Sequence, residues 1–304
     1  MRTLVETGPP VGRAEVDDLE EAAAVFGEVR PRLFGIAYRM LGSATEAEDL
    51  VQDVWLRWHT SDRSSVINPA AYLATAITRL AINASQSARA RRETYIGPWL
   101  PEPVDTSADP HLGAERGEAL NFPVLLMLEK LSPHERAAYI LREAFDYPYD
   151  QIAAILQSSQ AAARQLVSRA RKHLHAERRT PVTGGQQRQL LEAFVAAART
   201  GDLAALEKVL AQDVISYSDG GGLRGASRIP VFGAVRVAKY HRAFAHRFWD
   251  GLEVDWAVAN GQSVAVLRRE GEVCAVLTVG TFGDRIDQVL WMMNPAKIAT
   301  LTTT

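Results

Sequence analysis

Periodicity changes once along this chain, and that change requires two kinds of packing layer. Up to about Ala176 apolar residues recur three and four apart, the spacing of amphipathic helices. From Val214 to Met292 they alternate in short runs punctuated by Asn260-Gly261, Glu270-Gly271 and Gly283-Asp284, as antiparallel hairpins require. In 304 residues the two halves are expected to form two or three separate cores. Hydrophobic residues at 47% and charged residues at 23% supply those cores and exclude a disordered chain. The formal net charge is -2, so any DNA-binding surface must concentrate its cations locally.

Within the helical part, Glu20 to Arg92 holds three or four helices, with Pro31, Gly42 and Asn68-Pro69 as the breakers. Thr94 to Pro110 is proline-rich and reads as an extended linker. Helical spacing returns from Leu112 to Ala176, broken at Ser132-Pro133 and Tyr147-Pro148, and Pro181 to Gln187 marks a boundary. A helix from Gln189 to Thr200 then stops at Gly201, and Asp202 caps a short one through Leu210. Next come a strand at Val214–Ser218, a Gly-rich loop from Asp219 to Gly222, and a helix from about Val231 to Phe248. Strands follow near Leu252–Ala259, Ser263–Arg269, Val273–Thr281 and Arg285–Met292. Helices followed by a meander imply an α+β domain whose curved sheet packs on helices. The expected organisation is multidomain: all-α at residues 20–93, linker at 94–111, all-α at 112–178 and α+β at 186–298. The lone Cys274 excludes an intramolecular disulfide and a multi-thiolate zinc site, so no metal or cofactor is expected. The chain has no run of eighteen apolar residues and no basic start followed by an apolar stretch, so a cytoplasmic location without membrane contact is expected.

Three segments carry chemistry. In DQIAAILQSSQAAARQLVSRARKHL a short apolar-faced helix, a break at Gln157 to Gln160 and a second helix make a helix-turn-helix pattern. Ala163, Val167, Ala170 and Leu174 share its inner face, leaving Arg164, Gln165, Ser168, Arg171 and Lys172 to solvent. Small residues near the start of the second helix permit close approach to DNA, and cations at its far end can neutralise phosphates. A solvated basic helix in an ordinary bundle is the plainer alternative. Arg89, Arg91 and Arg92 end the helix that follows Pro69, where the macrodipole alone favours cations. The helix Thr45 to Trp58 exposes Glu48, Asp49, Gln52 and Asp53, either as a solvated face or as a docking surface for a basic protein.

Taken in order, these segments resemble the sigma factors of bacterial RNA polymerase. AEDLVQDVWLRW is similar to the polymerase-docking helix and NPAAYLATAITRLAINASQSARARRE to the helix that melts the minus-ten element, both in region 2. The helix-turn-helix segment resembles region 4, which reads the minus-thirty-five element. The pair of regions looks like the extracytoplasmic-function class. The linker WLPEP and an appended domain resembling the cystatin-like, SnoaL-like fold narrow the likeness to the SigJ-like subgroup with a fused regulatory extension. The resemblance implies core RNA polymerase, through its β′ clamp helices and β flap, and promoter DNA as partners. It implies that Asp49, Gln52 and Asp53 meet the clamp helices, and that Thr78, Arg79, Asn83, Arg89, Arg91 and Arg92 lie near the melted strand. Arg164, Gln165, Ser168, Arg169, Arg171 and Lys172 would face the upstream duplex. Regulation would involve Trp99, Leu100, Pro101, Glu102 and Pro103 of the linker, with Asp219, Gly220, Gly221 and Gly222, and Asn294, Pro295, Ala296 and Lys297, of the last domain. The chain departs from the family at Asn83-Ala84-Ser85, where an Asp-Arg pair is usual. It also carries Leu223 where Lys is more frequent and Gln157 at a turn often occupied by Gly.

The last domain also admits a different reading, in which a SnoaL-like ligand-binding or catalytic module uses the helix-turn-helix for its own regulation without recruiting polymerase. His241, His246, Asp213, Asp255 and Asp287 are acid–base candidates by type only, and Trp249, Trp256 and Trp291 could line a small-molecule pocket. No spacing among them demonstrates catalysis, and no enzymatic activity is expected.

Overall fold

The structure is a computed structural model that describes residues 13–106, 120–175 and 183–299. Pro110, Leu112, Ala176 and Pro181, at which segment ends were expected, lie outside the described residues, as do the boundaries at 111 and 178. Three helices form the first unit: α1 Arg13–Leu41, α2 Ala44–Thr60 and α3 Pro69–Glu93. α1 begins before the expected Glu20 and runs through Pro31 without a break. Proline removes the bond to the carbonyl four residues earlier, and that residue, Gly27, is exposed, so water can take the freed carbonyl. Asn68 starts α3 as expected from Asn68-Pro69: its side chain accepts the Ala71 N–H and Pro69 occupies the first turn.

The second helical unit comprises α4 Phe122–Leu128, α5 Pro133–Glu143, α6 Tyr149–Ile155 and α7 Gln160–His175. Ser132 and Glu135 close a reciprocal capping box on α5, the local reason for the break at Ser132-Pro133. Gln157 turns the chain between α6 and α7 at φ +50°, a left-handed position where glycine is cheaper. The apolar side chains of α1–α3 and α4–α7 merge into one buried cluster from Ala22 to Leu174. The two helical units are therefore packed against each other rather than spaced by the linker.

The rest is α8 Gly184–Thr200, α9 Leu203–Val209, β1 Leu210–Asp219, β2 Val231–Phe232, α10 Ala234–Phe248, β3 Glu253–Ala259, β4 Gln262–Arg269, β5 Glu272–Phe282, β6 Arg285–Met292 and α11 Pro295–Ile298. The strand order is β2-β1-β6-β5-β4-β3, with β1 parallel to β6 and every other pair antiparallel. Positive φ at Asn260 and Gly261, and at Glu270 and Gly271, closes the two-residue hairpins expected there. Three local expectations are corrected. Val231–Phe232 is a short edge strand, and the helix begins only after Gly233. β1 already starts at Leu210, and Asp219 ends that strand instead of lying in the loop.

The sheet has two dry faces. One packs on α8–α10 through Phe194, Val237, Leu277, Val289 and Trp291. The other, through Val266, Val276, Leu290 and Met292, packs on Leu100 of the linker, Phe122 of α4 and Ile298 of α11. Because strand residues alternate in direction, β6 sends Trp291 to the first face and Met292 to the second.

Candidate functional site

The proline-rich segment is extended, as expected, but it is bonded along its length. At its centre lies Asp219, fully buried at the end of β1. Its Oδ2 accepts the Leu100 N–H at 2.8 Å and lies 2.7 Å from Lys297 Nζ, while Oδ1 accepts the Tyr95 hydroxyl at 2.5 Å. Lys297 Nζ also donates to Leu100 O at 2.5 Å and sits 4.2 Å from the Trp99 ring centre. Asn294 donates to the Tyr95 oxygen at 2.8 Å. The end of β1 and the helix α11 thus clasp both backbone groups of one linker residue. Burial holds the Lys297 pKa below its usual value, with the Asp219 carboxylate opposing that shift, and burial beside the same carboxylate raises Tyr95. A side chain at Gly221 would come within 2.7 Å of Asn294 and 3.2 Å of the Tyr95 oxygen, at φ +56°, so the glycine run permits this close approach.

Glu102 carries the same segment to α2. Its carboxylate accepts the Ala44 and Thr45 N–H groups at 2.7 and 3.1 Å and the Ser43 hydroxyl at 2.8 Å, capping the N-terminus of that helix from the linker. Its backbone N–H donates to Gly42 O at 2.8 Å, and Tyr38 donates to its carbonyl at 2.6 Å. Gly42 has φ +64° and a Cβ there would lie 2.6 Å from the Trp99 ring. Farther along, Asn260 brackets Val104 with both backbone and side-chain bonds and donates to Tyr38 at 2.5 Å. Tyr95, Tyr38 and Asn260 were not among the sequence candidates. Asn260 was legible only as a turn former, because nothing local announces that its side chain is buried.

The minus-ten candidates divide. Asn83, Arg89 and Arg91 are exposed, Arg91 in an ion pair with Glu46. Thr78 is a correction: it is fully buried and its hydroxyl donates to Ala74 O, so it presents nothing to a DNA strand. Arg92 is another. It is mostly buried, bonded to Glu129 and Leu41 O, and lies 3.6 Å from the Trp99 ring centre, joining linker and helices. Glu129 in turn accepts from Arg136 of α5, which donates to Met40 O of α1. Arg79 donates to Ile155 O and Ala154 O, carbonyls at the end of α6, at 2.9 and 3.2 Å. It is thus engaged with the helix-turn-helix.

Arg164, Gln165, Ser168, Arg169, Arg171 and Lys172 all lie exposed on α7, opposite the buried Ala163, Val167, Ala170 and Leu174. Arg171 is held by Glu143 at 2.6 Å and Arg169 approaches Glu135 at 3.5 Å. Asp49, Gln52 and Asp53 are exposed on α2, whereas Glu48 is half-buried and paired with Arg30.

Of the acid–base candidates, His246 is exposed and Asp255 is paired with Arg268 at the surface, while His241 is buried beside a small cavity. Trp249 and Trp291 line that cavity; Trp256 instead stacks with Arg188. No carboxylate lines it among the described residues, so an acid–base pair is not assembled there. Burial pushes the His241 pKa down to about 3. The unfolded chain titrates near 6.5, so acidification from about 6.5 towards 3 protonates only the unfolded state and removes stability at about 1.4 kcal/mol per pH unit. His241→Phe is expected to lose roughly 2 kcal/mol less than the parent between pH 7 and 5 in urea unfolding. Parallel pH profiles would show that the ring is protonated in the folded protein.

The family model described as Sigma-70 region 2 matches residues 25–92, and the one described as Sigma-70, region 4, matches residues 122–174. The chain is 33% identical over 279 residues to the ECF RNA polymerase sigma factor SigJ of Mycobacterium tuberculosis (strain ATCC 25618 / H37Rv), covering 83% of this chain and 89% of that protein. It is 31% identical over 222 residues to the probable ECF RNA polymerase sigma factor SigI of the same strain, covering 72% and 75%. The crystal structure of the Mycobacterium tuberculosis extracytoplasmic function sigma factor SigJ superposes with a TM-score of 0.73 at 28% identity, covering 91% of this chain and 98% of that one.

Proposed function

The chain belongs to the ECF sigma factors of RNA polymerase, and from that membership we propose that its SnoaL-like domain holds it in a closed, inactive arrangement that must open for promoter recognition. As a sigma factor it serves promoter-specific transcription initiation, binding RNA polymerase and promoter DNA. Our reading extends this to residues: α2 meets the β′ clamp helices through Asp49, Gln52 and Asp53. Asn83, Arg89 and Arg91 meet the melted strand, α7 reads the upstream duplex, and region 4 engages the β flap. Among the described residues no helix is long and apolar enough to cross a membrane. Our reading of a factor that works at promoters puts its action in the cytoplasm.

The observation that carries the regulatory reading is the clasp of Leu100 by Asp219 and Lys297. Geometry supports it. Promoter elements centred near minus ten and minus thirty-five lie roughly 80 Å apart at 3.4 Å per base pair. Here α3 and α6 touch through Arg79, so the two DNA-reading units cannot address both elements at once. The linker that would let them separate is the segment held by the SnoaL-like domain.

The test is run-off transcription with purified core polymerase and the full chain on a library of promoter fragments. Initiation at defined start sites is expected. Failure to bind core would sink the reading and favour an autonomous ligand-binding module.

A further inference from the structure

We infer that the cavity between α10 and the ends of β1 and β6 binds a small uncharged molecule with one aromatic ring and a hydrogen-bond acceptor, and that its occupancy is felt at the linker clasp. The cavity measures about 40 Å³. Its walls include Tyr240, Phe244, Phe248, Trp249 and Trp291, so the surface on offer is the flat faces and edges of rings. Phe244 is 42% exposed and stands at the rim, giving a route in from solvent. At roughly 10–15 Å³ per water the space holds only a few, which limits an occupant to the scale of a single ring.

Polarity sets the rest of the chemistry. The indole N–H of Trp291 is buried with no hydrogen-bond partner, although Trp291 is only 4% exposed. That nitrogen has no surface open to a water-sized atom, so the Trp291 ring meets an occupant through its apolar face and not through this donor. The donor that the wall offers to a ligand acceptor is the Ser218 hydroxyl, on the same sheet face as Trp291. No Lys, Arg, Asp or Glu lines the cavity among the described residues, and His241, the one titratable imidazole in the wall, is neutral through the physiological range. An anion or cation would lose its hydration with nothing in return.

The end of β1 carries both the cavity and one arm of the clasp, and β6 leads from the cavity into α11, which carries the other arm. Ser218 and Trp291 are register partners on β1 and β6, and both line the cavity. The next pair, Asp219 and Met292, points to the opposite face, where Asp219 holds Leu100. Met293 lines the cavity, donates its N–H to Asp219 O at 2.7 Å, and precedes Asn294, which holds Tyr95. A ring wedged against Ser218, Trp291 and Met293 therefore bears on the backbone that aims Asp219 and Asn294. This link rests on the closed arrangement proposed above; the binding itself does not.

The experiment is an NMR titration of the full ¹⁵N-labelled chain with acetophenone, ethylbenzene and benzoate as probes, the Trp291 indole resonance being assigned with Trp291→Phe. Acetophenone should shift that resonance saturably, ethylbenzene should bind about two- to tenfold more weakly for want of an acceptor, and benzoate should not bind. Phe244→Trp, at an exposed position, should close the rim and abolish the shift. Equal binding of acetophenone and ethylbenzene, binding of benzoate, or no shift with any probe overturns the assignment. Hydrogen exchange of the Leu100 amide, read in the same samples, should change at least about fivefold on saturation. An unchanged Leu100 overturns the link to the clasp. Polymerase is absent from these samples, so their outcome and that of the run-off assay fail independently.

Discussion

Replacing Asp219 with alanine is expected to raise core-dependent run-off transcription by the full chain at least about tenfold. The carboxylate is fully buried, and its removal leaves Lys297 buried with Leu100 O as its remaining partner there. Breaking a buried pair from one side costs about 3–5 kcal/mol, and here the Leu100 N–H and Tyr95 hydroxyl also lose their acceptor. In an open form Lys297 regains water, so the cost falls on the closed form. A shift of about 3 kcal/mol corresponds to roughly a hundredfold in the closed-to-open ratio, which makes tenfold a conservative floor. Tyr95→Phe tests the same clasp from the linker side without stranding a charge; it should act in the same direction, more weakly, through the loss of about 1 kcal/mol of hydrogen bonding. Unchanged transcription in both variants, with Leu100 exchange accelerated, would show that the clasp is released without consequence and that the closed form is not the regulated one.

What the sequence disclosed and what it hid follow from the range of the forces involved. The helix-turn-helix was legible because Ala163, Val167, Ala170 and Leu174 recur at helical spacing, and all are buried. The meander was legible because Asn260-Gly261 and Glu270-Gly271 demand positive φ, and they adopt it. The linker was legible as extended but not as bonded. Glu102 caps a helix that begins 58 residues earlier, and Lys297 reaches Leu100 across 197 positions, separations at which no periodicity operates. Thr78 was placed at DNA by likeness to the family, although helical spacing sets it beside Ala74 and Ala81, both buried. Arg92 was read as a terminal cation, and its burial depends on Trp99 and Glu129 arriving from other elements.

Reversing the charge of α2 with Asp49→Arg and Asp53→Arg should abolish core binding and transcription while leaving the fold intact. The two carboxylates are four residues apart on one exposed face, with Gln52 between them, and neither forms an ion pair with another described residue. Among the described residues no ion-pair partner is lost on reversal. Substitutions at such positions usually change stability by no more than about 0.5 kcal/mol, and the cation introduced by Asp53→Arg, one turn before Arg57, adds roughly 0.2–0.5 kcal/mol of repulsion. The helix N-terminus, held by Ser43 and Glu102, is untouched. At a docked interface the same reversal sets two cations against a basic partner surface, where like charges cost several kcal/mol and lower the affinity for core by at least about a hundredfold. Circular dichroism and thermal unfolding should match the parent while core binding disappears. If the double variant binds core normally, the acidic face is only a solvated surface, and the polymerase must be held by another part of the chain.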